Sequence, residues 1–545
     1  MSFPQPTRSQ SPPGGTTSTD TPQGALGLWD AVSIIVGIVV GAGIYQTAPF
    51  IFKHVDSPMT AMITWAGAGL LSLIGALCYA ELATTYPRDG GDIVYLNRAY
   101  GDWSGFLFGW VQLTVILTGS IGMMAFVFSN YAVRFCQTAL DMELGVIAAF
   151  AFAGGAVLIL TITNVLGVVF GKTVQNVLTL AKMVGLGAII FAGFYAPKAG
   201  GWEEAGMTVE QLKAATFPGF APSLGVALVL ILYTYGGWND AAFVAAEVRN
   251  GKKNITRALV LGILIITALY LLVNAAYINS LGFPAAQGSK QIAADVLEKG
   301  FGKNGVALMC VLVMVSALGA VNGLIFTGAR VYATIGKDYP IFSWMSGWSQ
   351  KQGAPIPALL TQGVLAMGLI FLVGTNEGRG ALNRVLESTL LESKEIAKKG
   401  PKGVETVVEK TYLLKPMDWE DSWKAGLKTT AGEKATDLAK GGFDTLLTCT
   451  APIFWGFFLM TGISVFVLRE RDKDIERPFR VPFYPELPLI FCLSCGYMLY
   501  SSISYALERD WKGGLFLLGV LPLLLGLLLY RISQLTRPNS GALER

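Results

Sequence analysis

Two glycine-rich interruptions carry the most specific chemistry in this 545-residue chain. The first reads Gly37-Ile-Val-Val-Gly41-Ala42-Gly43-Ile44-Tyr45, and the second Tyr233-Thr234-Tyr235-Gly236-Gly237-Trp238-Asn239-Asp240. Each sits inside an otherwise apolar run. Glycine lets the backbone leave helical geometry at little steric cost. A break exposes N–H and C=O groups that hydrocarbon cannot satisfy, so they must face protein, water or a ligand. The N–H end of a half-helix suits a carboxylate, and a carbonyl end suits an ammonium. A zwitterion with both groups on one carbon fits the pair. Glycines four apart, such as Gly37 and Gly41, also let membrane helices pack closely. Either motif alone is therefore ambiguous, and the matched pair is the signal. Gly41-Ala42-Gly43 is no dinucleotide fingerprint, because position 46 is Gln and no βαβ unit follows.

A third feature is Lys182, inside the apolar run 177–191. A lysine at mid-bilayer costs about 2.5–3.5 kcal/mol on insertion scales, which makes it a functional candidate. Snorkelling to the interface is the alternative for a residue about ten positions into its helix. Trp238 is expected as a wall of the second break. Asn239 and Asp240 suit caps of the half-helix that follows. Asn322 is expected to hydrogen-bond between helices. Glu81, Arg88 and Glu247 stand near span ends, either solvated or paired as a gate. Ser120, Ser316 and Thr448 are candidates for a side-chain pocket. One histidine, His54, leaves almost no material for a metal site or a triad. Cys492-x-x-Cys495 lacks a second pair. No metal, no cofactor and no enzyme chemistry is expected.

The elements that must position these residues follow from composition. Charged residues are 14% and apolar ones 52%, against roughly 25% charged in a soluble domain. So little charge cannot solubilise so long a chain, and a net charge of +4 does not point to nucleic acid. A bilayer core needs about 20 apolar residues per helix. Twelve runs qualify, at about 29–51, 60–86, 104–135, 144–166, 173–196, 222–248, 257–280, 304–336, 355–375, 446–468, 485–506 and 513–531. They are continuously apolar and too long for barrel strands. With the N-terminus inside, inner segments hold 19 Lys and Arg and outer short loops hold 9, which places both termini in the cytoplasm.

Residues 1–24 read as a disordered tail, 25–376 as spans one to nine, 445–531 as spans ten to twelve, and 532–545 as a second tail. Residues 377–444 carry 12 basic and 12 acidic side chains. They read as a polar insertion on the outer side. Ala381–Lys399 has helical amphipathic spacing, and a disordered charged loop is the alternative. The two breaks occupy equivalent places if spans 1–5 and 6–10 are repeats, the pattern of an inverted-repeat transporter.

Further segments carry a family resemblance. They are Ala80-Glu81-Leu82, Tyr86-Pro87-Arg88-Asp89-Gly90-Gly91-Asp92, Glu247-Val248-Arg249-Asn250, Val321-Asn322-Gly323, Gly353-Ala354-Pro355-Ile356-Pro357-Ala358-Leu359 and Arg477-Pro478-Phe479-Arg480-Val481-Pro482. Together with the two breaks, in this order, they resemble the L-type amino acid transporter family of the amino acid–polyamine–organocation superfamily. The resemblance implies an all-α membrane protein of twelve transmembrane helices, a LeuT-like 5+5 inverted repeat with helices one and six broken. It implies sodium-independent amino acid transport, by exchange or with protons, at the plasma (inner) membrane. It places substrate contacts on Val39, Ala42, Gly43, Tyr233, Thr234 and Gly236, with Tyr233 as the gate and Trp238 as a wall. It places Lys182 where sodium-coupled relatives bind an ion, its amine standing in for that cation. Whether Lys182 carries protons or a fixed charge stays open. The residues around Cys136 do not match the family's heavy-chain cysteine, so no heavy-chain partner is expected. The other function considered is a transporter-like sensor signalling through 377–444.

Overall fold

The computed structural model describes residues 24–41, 43–142, 144–195, 222–289, 291–375, 378, 394–400, 403–409, 431–509 and 514–535. Helices dominate. Among the described residues, nine are long and apolar enough to cross a membrane, from Pro58–Thr85 to Glu486–Ser504. The runs expected at 29–51 and 222–248 hold interrupted helices instead, and the last holds Gly514–Leu535.

Helix ends follow ordinary chemistry. The helix Pro58–Thr85 has Ser57 as its N-cap, whose hydroxyl accepts from Thr60 N at 3.1 Å, and Pro58 fits the first turn because its missing N–H would have no partner. Long helices sort their faces for lipid. Along Val168–Tyr195, residues Gln175, Thr179, Lys182 and Gly185 are buried. Val177, Leu180 and Val184 on the other side are exposed. The spacing of three and four residues puts each set on one face. Polar groups thus turn to the bundle and apolar ones to the membrane. Gly305–Asp338 runs through the centre and packs on Leu117–Ala139 and Val168–Tyr195, while Pro58–Thr85 packs on Gly251–Leu281.

The first broken element comprises α1 (Leu28–Val39), a bend, α2 (Gly43–Gln46) and α3 (Ala48–Lys53). The separation of α2 from α3 has a local cause: Pro49 has no N–H to offer the preceding turn. The second broken element is a helix, Pro222–Thr234, a turn over Tyr235–Gly237, and a 3₁₀ helix, Trp238–Glu247.

Two expectations for the insertion need correction. Part of the amphipathic stretch 381–399 is strand: Lys394–Gly400 pairs antiparallel with Gly403–Glu409, Lys394 opposite Glu409 and Gly400 opposite Gly403. Val404, Thr406, Val407 and Val408 on the second strand favour extended backbone. Residues 381–393 lie outside the described residues. The helix of the tenth run starts at Ala431, inside the region assigned to the insertion, and runs to Arg471. Its first turns hold Ala431, Glu433, Lys434, Ala435, Leu438, Ala439 and Lys440, which favour helix without forming a continuous apolar run.

Charged residues pin one end of the bundle. Glu247 and Arg330 form a buried bidentate pair at 2.7 and 3.1 Å. Glu81 accepts from Arg469 Nε at 2.7 Å and from Val481 N at 2.7 Å, with Arg477 3.4 Å away. Glu81 and Glu247 are thus buried and paired rather than solvated, whereas Arg88 is exposed and reaches Asp338 at 3.2 Å. Next to the buried pair, in the loop after Thr85, Asp89 keeps an Oδ1 atom without a partner. Burial, then the Glu247 carboxylate, pushes its carboxyl up to about 7, against opposing pulls from Arg330, Lys337 and Arg88. A raised folded-state value means that the native protein holds a proton which the unfolded chain gives up. Asp89 therefore contributes stability at acidic pH that is lost as pH rises from about 4 to about 7. Asp89→Asn should flatten this part of the melting-temperature profile, measured on detergent-purified protein between pH 5 and 8. An unchanged slope would count against it.

Candidate functional site

The two breaks meet. Gly237 has φ +100°, a left-handed conformation that glycine adopts readily, and a Cβ there would stand 2.6 Å from Ile38 Cγ2. A Cβ on Gly43 would stand 2.9 Å from Thr234 Cγ2. Glycine at these positions is what lets the two backbones touch. The Thr47 hydroxyl, bonded to Gly43 O at 2.8 Å, also lies 3.4 Å from the Thr234 hydroxyl.

Among the described residues, the carbonyls of Gly37, Val39 and Val40, set free by the first break, find donors. Lys182 Nζ donates to Gly37 O at 2.6 Å, to Val40 O at 2.8 Å and to Ser316 O at 3.1 Å. The Ser316 hydroxyl donates to Val40 O at 2.8 Å. Tyr270 OH reaches Val39 O at 3.0 Å. In the second break the same Tyr270 hydroxyl lies 3.1 Å from Thr234 O, and Gly236 N donates to Tyr233 O at 3.0 Å. Lys182 is fully buried, so snorkelling does not describe it. Among the described residues its amine bonds to backbone carbonyls, a geometry that suits a cation.

Of the residues expected at the site, Val39, Gly43, Tyr233, Thr234 and Gly236 are brought together around the breaks. Ala42 lies outside the described residues. The Tyr233 hydroxyl points to Met123 Sδ at 3.8 Å. Trp238 is buried, edge-on to Tyr79 at 5.1 Å and to Phe458 at 5.7 Å between ring centres. It closes one side of a narrow cleft that also touches Gly236, Leu232, Phe454 and Phe491. Asn239 and Asp240 do not cap the following helix. The cap position belongs to Gly237, whose carbonyl accepts from Asp240 N at 3.2 Å. The turn ends before the polar side chains are reached, because Gly237 supplies the left-handed bend. Asn322 bonds Gly171 O at 3.1 Å, Gln175 Oε1 at 2.9 Å and Asn164 Nδ2 at 2.8 Å, tying three helices together as expected.

Ser316, a candidate for the side-chain pocket, serves the freed carbonyls instead, because its helix passes directly behind the first break. The side chain of Thr448 lies outside those described. Tyr270 was missed altogether. It sits in a uniformly apolar run where a single tyrosine reads as packing, and no spacing rule distinguishes it.

A bundle of helices of membrane-crossing length that encloses two facing helix breaks has the build of a multi-pass membrane transporter. A family model described as amino acid permease matches residues 26–525, and the chain belongs to that family. It is similar to the b(0,+)-type amino acid transporter 1 of Mus musculus, 27% identical over 519 residues that cover 94% of this chain and 88% of that one. The Homo sapiens protein of the same name is 30% identical over 352 residues, covering 64% and 70%. The large neutral amino acids transporter small subunit 2 of Homo sapiens is 30% identical over 365 residues, covering 64% and 66%. The resemblance to the L-type family is thereby established.

Valine at position 43 should abolish amino acid binding while leaving membrane insertion intact, since its branches collide with Thr234. Binding of labelled amino acid to purified Gly43→Val protein, beside its extracted yield, checks this; full binding would refute it.

Proposed function

We propose that this chain is a sodium-independent amino acid transporter that works by alternating access, receiving substrate between the unwound segments of helices one and six. The observation that carries the reading is the Lys182 ammonium, which occupies the freed carbonyls of Gly37 and Val40. A fixed cation there removes the need for a bound sodium ion. The amides that open at Gly43 would receive the substrate carboxylate. Carbonyls ending the helix before Tyr235 would receive its ammonium, with Tyr233 gating and Trp238 walling the site. Around the breaks stand Met123 against Tyr233, Met124 against Gly41, and Phe454 against Gly236. This apolar, polarizable lining favours a neutral side chain on the substrate.

The same reading takes the chain as twelve spans in a 5+5 inverted repeat. Both termini lie in the cytoplasm of a cell whose plasma (inner) membrane holds the protein, and 377–444 lies outside. The charge pairs of Glu81 and Glu247 then form the inner closure. Rocking one repeat against the other requires them to part.

Uptake of a labelled amino acid panel into proteoliposomes tests the proposal, with and without sodium, a proton gradient and internal amino acids. Uptake independent of sodium is expected; strict dependence on sodium would overturn it. Lys182→Met should insert and purify yet transport at least about tenfold more slowly, because each orphaned carbonyl costs about 1–3 kcal/mol. Wild-type rates in that variant at every pH would remove Lys182 from the mechanism.

A further inference from the structure

Two carboxyls lie inside the bundle beside the second break. Asp92 opens the short helix Asp92–Tyr100 and is 1% exposed. Its Oδ1 accepts from Tyr79 OH at 2.6 Å and from the Thr461 hydroxyl at 2.6 Å. Its Oδ2 has no partner, and neither has the buried Tyr95 hydroxyl beside it. Asp240 stands on the 3₁₀ helix Trp238–Glu247. The loop before Asp92 touches that helix: Gly90 N donates to Phe243 O at 3.2 Å, and a Cβ on Gly91 would stand 3.2 Å from the carbonyl carbon of Ala242. Asp240 is buried too, bonded by no donor through its carboxyl among the described residues, and close enough to Asp92 for their charges to repel. The other titratable groups around the pair are the phenols of Tyr79 and Tyr95 and, beyond Tyr79, the Cys495 thiol. Neither carboxyl meets a Lys or Arg among the described residues. A buried carboxylate without a cation is costly, and two close together cannot both ionise cheaply. Burial pushes the Asp92 carboxyl up to about 6, against the pull of the Thr461 and Tyr79 hydroxyls. The helices that donate to Asp92 also hold Trp238. Tyr79 meets its ring edge-on, and so does Phe458, one turn before Thr461 on the same helix.

We propose that Asp92 and Asp240 form a proton-binding site, which holds one proton between them and links it to substrate affinity through Trp238. The inference rests on the reading that Trp238 walls a zwitterion site. With one proton on the pair, Asp92 keeps both hydroxyls and the wall stays seated. When that proton leaves for solvent, the two charges repel. The 3₁₀ helix then moves off the loop, and Trp238 loses its place between Tyr79 and Phe458. Substrate affinity therefore falls as pH rises, and by reciprocity substrate binding takes up a proton.

The test measures binding of labelled L-leucine to detergent-purified protein from about pH 5 to about pH 8. It compares wild type, Asp240→Asn, the double variant Asp92→Asn/Asp240→Asn, and Asp89→Asn. Asp89 is the control, because its carboxyl is also pushed up, to about 7, but belongs to neither partner of the pair. Wild-type affinity should fall about fivefold or more across the range. Leucine added to weakly buffered wild type near the midpoint should draw protons from the medium, read with a pH-sensitive dye. Asp240→Asn should move the midpoint to lower pH, since the repelling charge is gone. The double variant should hold the low-pH affinity throughout. A wild-type affinity that ignores pH, or leucine binding without proton uptake, overturns the proposal. So does an unmoved midpoint in Asp240→Asn, an equal shift in Asp89→Asn, or a double variant that keeps the wild-type dependence or binds no leucine. The amide removes repulsion without changing shape, so variants that fail to accumulate where Asp89→Asn accumulates also overturn it. A wild type that binds no leucine at any pH strikes the underlying reading instead, and is thereby told apart.

Discussion

A carbonyl released from a helix inside a membrane protein has no water to turn to, and this constraint shapes the centre of the molecule. The bend after Val39 releases the carbonyls of Gly37, Val39 and Val40, and each is met by a side chain from another helix. Lys182, Ser316 and Tyr270 come from three different helices. The break and its surroundings are therefore one unit. The first helix cannot unwind unless three neighbours present donors at that depth, and those donors would be costly there without the break. Lys182 is the extreme case. A buried ammonium needs compensation, and here backbone dipoles supply it in place of a carboxylate.

The same accounting explains why the two breaks lie side by side. Gly43 and Gly237 have no side chain at points where Thr234 and Ile38 press in, so the backbones come into contact. One hydroxyl then serves both carbonyl ends. Polar groups of opposite sense, amides opening at Gly43 and carbonyls ending at Thr234, are left near each other in an apolar surround of Met123, Met124 and Phe454. At the charged end the logic differs. Glu81 and Glu247 are buried but matched by arginines in bidentate or near-bidentate geometry, and bonds of that kind are specific and can be broken and remade. The centre is held by fixed donors and the end by separable pairs.

Much of this was legible in the sequence. The apolar runs announced spanning helices. The glycine pairs announced two breaks, and a lysine alone in an apolar run announced a buried cation. Asn322 announced its bonds between helices. Other features were not legible. The amphipathic pattern around Lys394–Lys399 reads as helix, and pairing with Gly403–Glu409 made it strand. The apolar count stopped the tenth run at residue 446, although helix-forming polar residues carry the helix back to Ala431. Asn239 and Asp240 looked like caps, but Gly237, with its left-handed bend, took that position.

Residue type and spacing along the chain determined that helices one and six would break, since glycine flexibility and the cost of unpaired backbone in hydrocarbon act locally. They also determined that Lys182 would need a partner, because its charge is intrinsic. Which groups answer the freed carbonyls was decided by tertiary structure alone. Tyr270 and Ser316 lie 231 and 276 residues from the carbonyls of the first break, Val39 O and Val40 O, that they meet. Nothing in their own neighbourhoods distinguishes them from packing residues. Their role comes from helix crossings that bring distant turns to one depth, and crossings depend on how whole helix faces fit.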